Sequence, residues 1–229
     1  MIMSLLALLV ACRPDPIEYP YNSADALDTA GDTENQFGGP DPYEDGDSRL
    51  SLGVFYEGGY SDLIPVDDET SFFYIWITEF TSLPTYTQTP TTDRVEGNVA
   101  DEITAGEHGW FGGGVSWNIA KDMSAWTTLF VSVKSESEAL SGMQVGMGGA
   151  LDLSGGCSGN ATRQNFVDLT EYGFLTDGEW HHLEIPLSDL TVCMNVEQVA
   201  EPFMLLTAGL SASDAGATVL IDNVYFTGE

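Results

Sequence analysis

"GWFGGGVSW", residues 109–117, sets three consecutive glycines between two tryptophans. It reads either as a loop that cradles phosphate or as a strand with part of its backbone left bare. A phosphate loop of the form G-x-x-x-x-G-K-[ST] needs a Lys-Ser or Lys-Thr pair after the glycines, and none follows. A dinucleotide fingerprint needs G-x-G-x-x-G at the opening of a helix, and no helical pattern follows. Side chains of a strand alternate between its two faces. Phe111, Gly113, Val115 and Trp117 then share one face, which suits a core. Trp110, Gly112, Gly114 and Ser116 share the other, so Trp110 has two bare positions beside it. Glycine inside a strand marks a bulge or the close approach of another group. Here that group is either another strand or a flat ligand.

The same texture runs outward in both directions. In "SFFYIWITEF", residues 71–80, Phe73, Ile75 and Ile77 share the face expected to be core. Tyr74 and Trp76 share the other face and would form an aromatic strip there. Flat rings with a polar edge are what sugars stack on, C–H bonds against the π-face. The alternative is a central strand with loops over both faces. Short β-branched and aromatic runs, punctuated by Gly, Pro, Asp and Ser, predict strands near 50–57, 71–80, 95–103, 109–118, 127–134, 143–150, 164–169, 180–186, 203–210 and 217–226. No stretch of about 12 residues carries a convincing helical stripe. The pattern predicts an all-β fold, an antiparallel β-sandwich of jelly-roll type with about ten strands, over residues 49–229.

Charge narrows the partners. Six Lys plus Arg stand against 36 Asp plus Glu, a formal net charge of −30. Phosphate neutralisation needs clustered cations, so nucleic acid and anionic headgroups are not expected partners. The acidic residues concentrate early. Residues 13–48 hold five prolines and ten acidic side chains, with Arg13 the sole base. Like charge and few aliphatics leave too little burial to offset ordering entropy, so this stretch reads as an extended tether. Ahead of it, "MIMSLLALLVAC" is apolar through Ala11 and then meets Cys12. "LVAC" resembles the lipobox of bacterial lipoproteins, in which the signal is cut before the cysteine and the sulfur takes a diacylglycerol. The absence of a Lys or Arg before the apolar run departs from the usual basic start. The run is too short to span a bilayer, which takes about 20 apolar residues. This reading divides the chain into a signal peptide (1–11), a lipidated Cys12 with an acidic tether (12–48) and one domain (49–229). An ordinary secretory signal that happens to contain Cys12 is the alternative. If Cys12 carries lipid, Cys157 and Cys193 remain as a pair for a disulfide in an oxidising compartment.

Catalytic and metal patterns are sparse. His181 and His182 point to opposite faces of a strand and cannot jointly hold one metal, and His108 is the only other histidine. "GCSGN", residues 156–160, fails the G-x-S-x-G elbow. In "TVLIDNVYFTGE", Asp222 shares parity with Leu220, Val224 and Phe226, an odd place for a carboxylate. A buried charge must be paired or bound to metal. Calcium, which takes oxygen ligands, is one answer, with Glu57 at the end of the first strand as the partner. A bulge that puts Asp222 in solvent is the other.

Taken in order, "YIW", "GWFGGGVSW", "DMSAWTTLFVSVKS", "YGFLTDGEWHHLEIPLSDL" and "VLIDNVYF" resemble the jelly-roll carbohydrate-binding modules (galactose-binding-like sandwiches) appended to secreted bacterial glycoside hydrolases. The resemblance covers residues 49–229. It implies a structural Ca²⁺ near the first and last strands, at Glu57 and Asp222. It also implies glycan binding on an aromatic-bearing sheet face, at Tyr74, Trp76 and Trp110. Arg163 and Asn165, bordering a cysteine-bearing elaboration, are placed to reach sugar hydroxyls. The expected protein is a surface lipoprotein of the bacterial cell envelope, at the outer membrane or cell surface. It binds poly- or oligosaccharide, is not an enzyme, and touches membrane through its lipid only. A structural or adhesive envelope protein that binds a protein partner is the alternative. A glycan-cleaving enzyme is a more remote one.

Overall fold

The computed structural model describes residues 49–52, 63–64, 71–77, 84–95, 99–153 and 163–228. Cys12, Glu57, Cys157 and the tether lie outside the described residues.

Twelve strands are described: β1 (Arg49–Leu52), β2 (Leu63–Ile64), β3 (Ser71–Ile75), β4 (Tyr86–Thr91), β5 (Ala100–Ala105), β6 (Trp110–Trp117), β7 (Trp126–Lys134), β8 (Gln144–Leu151), β9 (Gln164–Asp168), β10 (His181–Pro186), β11 (Met194–Ala208) and β12 (Thr218–Gly228). One helical turn, α1 (Leu187–Leu190), follows β10. The strands form two sheets, a jelly-roll β-sandwich. The first runs β10-β7-β12-β1-β2, and β12 also pairs β5, which pairs β4. The second runs β3-β6-β11-β8-β9. Pairing is antiparallel except between β1 and β2, which run parallel.

Two described strands have no counterpart among those expected from the sequence. β2 is two residues long. β4, "YTQTPT", contains Pro90, but β4 pairs only with β5, and an edge strand tolerates a residue without an N–H. β11 also begins nine residues before the expected Phe203, at Met194.

In β6 the core is the set predicted by strand parity, and β7 and β8 bury residues with the same alternation. Phe111, Val115 and Trp117 of β6, Leu129, Val131 and Val133 of β7, and Val145 and Met147 of β8 are buried together between the sheets. Ile75 joins them, but Ile77 does not: β3 stops at Ile75, and Ile77 is 39% exposed with only an isolated bridge to Pro84.

β12 corrects a second parity reading. The core takes Val219 and Ile221, and then Val224 and Phe226. Asp222 therefore does not share a face with Val224 and Phe226. The register against β7 shifts between Asp222 and Tyr225, and Asn223 adopts φ 55°. That left-handed residue is the extra one of a bulge and reverses the parity. Asp222 lies on the outer face of the first sheet, yet only 1% exposed.

Candidate functional site

The outer face of the five-stranded sheet holds four of the five residues singled out for sugar binding, Tyr74, Trp76, Trp110 and Arg163. β6 pairs with β3, placing Tyr74 opposite Gly114 and Ile75 opposite Gly113. The chain continues one residue beyond β3, where the Trp76 amide donates to the Gly112 carbonyl at 2.9 Å. The Trp76 indole lies over Gly112, in the space that a Cβ there would take. At Gly112 the approaching group is thus the chain's own tryptophan, and at Gly114 it is the neighbouring strand β11, at Phe203 and Met204. The Trp76 ring centroid is 6.1 Å from Tyr74 and 5.9 Å from Trp110, with planes inclined at 45° and 54°. Those spacings fall in the range of attractive aromatic pairs. All three rings are half-buried, so part of each is open to solvent.

The far margin of the face repeats the device. Phe166 of β9 leans over Gly146 of β8. Between the margins, on the central strand β11, Met204 is fully buried although it lies outside the sandwich core.

A cleft of about 1080 Å³ opens at one end of this face, lined by Ser116, Ala150, Arg163, Gln164, Phe166 and Glu201 among others. The aromatic row does not line it, but Glu201 links the two. The Tyr74 hydroxyl donates to Glu201 Oε1 at 3.3 Å, and the Gln164 amide donates to Glu201 Oε2 at 2.8 Å. Burial, and then the neighbouring Glu201 carboxylate, push the Tyr74 phenol far above its ordinary range. Tyr74 therefore stays a neutral O–H donor at any physiological pH.

The placement of Glu201 depends on irregular backbone. Val199 pairs with Gly149 and Glu201 with Gly148, two residues of β11 spanning one of β8. From Glu201 to Met204, three residues of β11 span two of β8. Val199 is core, and plain alternation would put Glu201 beside it on the inner face. The bulges carry Glu201 to the outer face instead, where it lies against Gly148. Strand parity alone gives no hint of this.

Arg163 is exposed and lines the cleft. Asn165 does not. It shares parity with Val167, which packs on the core, and its amide donates to the Val192 carbonyl at 2.8 Å. Its neighbours Gln164 and Phe166 face the cleft in its place. They are legible once β9 is phased, because residues flanking a strand position point the opposite way.

Asp222 belongs to the other sheet. Its Oδ2 accepts the Val95 amide at 2.6 Å and its Oδ1 the Asn223 amide at 2.7 Å. These donors offset part of the cost of its burial. Among the described residues, no group of three or more His, Cys, Asp or Glu is placed to hold a metal ion. His181 meets Asp177 and His182 meets Ser132, each at 2.8 Å, so the adjacent histidines serve separate partners. Cys193 is disulfide-bonded, with its partner outside the described residues.

A family model described as carbohydrate binding domain 30 matches residues 64–228. Among solved structures, the family 30 carbohydrate-binding module of the cellulosomal cellulase Cel9D-Cel44B of Clostridium thermocellum is similar at 17% identity. That match covers 69% of this chain and 91% of that one, with a TM-score of 0.48. The family 11 module of Lic26A-Cel5E from Clostridium thermocellum is similar at 12% identity, over 70% of this chain and 88% of that one, with a TM-score of 0.45. A family 11 module from the same organism, in complex with a β-1,3-1,4-mixed-linked tetrasaccharide, is similar at 12% identity, over 68% and 95%, with a TM-score of 0.43. No curated protein matches.

Proposed function

The chain belongs to the carbohydrate binding domain 30 family, and from that premise we propose that the outer face of its five-stranded sheet binds polysaccharide without cleaving it. The observation that carries this reading is the continuity of that face: a row of three half-buried aromatic rings is joined through Glu201 to a polar cleft. Rings supply area for the apolar faces of sugars, and amides and a carboxylate supply partners for the hydroxyls. Glu201 is the one carboxylate among the described residues lining the cleft, whereas glycoside hydrolysis ordinarily uses a pair of them about 5–10 Å apart. Asn165 leaves the site, and Gln164 and Phe166 enter it.

The test is calorimetry and a glycan array with the purified full chain. The mixed-linked tetrasaccharide is included as one probe. Trp76→Ala and Trp110→Ala are each expected to weaken glycan binding about tenfold or more, as loss of a stacked ring does. Unchanged binding in both would move the site elsewhere, and absence of glycan binding would refute the reading.

Two further parts of the proposal come from the sequence. Cys12 anchors the chain by lipid at the bacterial cell surface, and the acidic tether holds the module away from the membrane. Lipid labelling that persists in Cys12→Ser would refute the anchor. A structural calcium joins Glu57 and Asp222. Each Asp222 oxygen accepts one amide proton, which leaves a second position on each for a cation.

A further inference from the structure

The geometry points to Glu201 as the specificity-determining residue of the cleft, an acceptor for paired sugar hydroxyls that also positions Tyr74 and Gln164 around the ligand. This rests on the glycan-binding reading above and adds to it a residue that strand alternation assigns to the core.

Three independent features converge on one carboxylate. The first is backbone. Register shifts on both sides of Glu201 take it out of the phase of Val199 and present it on the outer face. Bulges interrupt the ladder, and they recur where a side chain must be re-aimed at a site. The second is space. Gly148, opposite Glu201 in the register, has no Cβ, and the Glu201 side chain occupies the volume that one would fill. The third is chemistry. A carboxylate offers about four acceptor positions, and the bonds from Tyr74 and Gln164 use one on each oxygen. Two positions remain on the carboxylate, and Glu201 lines the cleft. Two adjacent acceptors match two adjacent hydroxyl donors.

Glu201 also ties strands that are not neighbours. Tyr74 is on β3 and Gln164 on β9, the two edges of the sheet, and β11 lies at its centre. Through one side chain, the aromatic row and the polar cleft are held in fixed relation. The Tyr74 bond, at 3.3 Å, is long for an O–H donor. A ligand that draws Glu201 toward it would therefore be sensed at Tyr74. The negative charge also selects, because a uronate or sulfate placed against Glu201 meets repulsion that Arg163, the one cationic residue among the described residues lining the cleft, must offset.

The experiment measures binding of the full chain to soluble oligosaccharides, neutral and uronate, with the mixed-linked tetrasaccharide among the neutral ones. Glu201→Ala is expected to lower neutral-glycan affinity about tenfold or more. Glu201→Gln keeps an acceptor but turns an amide donor toward Gln164, and is expected to recover part of that loss. It should also reduce the discrimination against uronate oligosaccharides. Tyr74→Phe should weaken binding in the wild type and change little in the Glu201→Ala background, because the two act as a unit. A merely structural role would alter the unfolding midpoint and leave both the uronate discrimination and this coupling unmoved. If Glu201→Ala does not fold, Glu201→Gln carries the test. Wild-type affinity and selectivity in a folded Glu201 variant would overturn the inference while leaving the glycan-binding reading intact. Absence of glycan binding by the wild type would overturn both.

Discussion

At the scale of single residues, the site depends on which positions lack a side chain as much as on which have one. Gly112 is the clearest case. Trp76 occupies the space over it, so the ring is seated against backbone and spaced evenly between Tyr74 and Trp110. Gly112→Ala would force the indole outward. Overpacking of this kind costs about 1–3 kcal/mol. The expected outcome is a lower urea midpoint, a red-shifted tryptophan emission and weaker glycan binding. Unchanged emission would mean that the indole does not rest on Gly112. Trp110 and Trp76 were legible in the sequence because aromatic residues on the non-core parity of a strand have few other uses. The seating of one on the other's strand was not, because it depends on which strands are neighbours.

At the scale of elements, alternation succeeds wherever a strand is regular and fails at bulges. β6, β8 and β7 from Thr128 onward keep their phase, and their buried faces follow directly from it. β12 and β11 do not. The extra residue at Asn223 reverses the parity of Asp222 with Val224 and Phe226, and the bulges about Ala200 do the same for Glu201 with Val199. Asn is one of the few non-glycine residues that adopts the left-handed region readily. At φ 55°, Asn223→Ala should destabilise the chain by about 1 kcal/mol more than Asn223→Gly does. The difference between these variants isolates the backbone conformation, since both lose the same side-chain contacts. Equal unfolding midpoints would remove the left-handed bulge from the account. Asn165 follows the same logic from the other side. Its strand is regular, and regularity turns it away from the cleft toward Val192.

At the scale of the whole molecule, the question is what fixes the sandwich and where it is displayed. Cys193 lies directly before β11, the strand that carries Glu201, and it is disulfide-bonded. If Cys157 is its partner, as the sequence reading holds, Cys157→Ser should lower the unfolding free energy by about 2–4 kcal/mol, measured by denaturant titration. A partnership with Cys12 instead would leave Cys157→Ser without effect. Chelation tests the calcium proposal at this scale. A resident ion at Glu57 and Asp222 stabilises by mass action, so its removal should lower the melting temperature. No shift would refute the calcium site.

The sequence by itself determined the fold class, the core and the aromatic face. Each of these follows from local alternation of side chains along a strand, which needs no knowledge of the partner strands. It also determined the acidic character of the chain, which follows from composition. Only the tertiary structure decided that a tryptophan fills the space over Gly112, that Gln164 and Phe166 rather than Asn165 line the cleft, and that Asp222 and Glu201 leave the faces alternation gives them. The physical reason is the same in each case. A bulge or a cross-strand contact is a relation between two strands far apart in sequence, and one inserted residue moves every side chain beyond it to the opposite face.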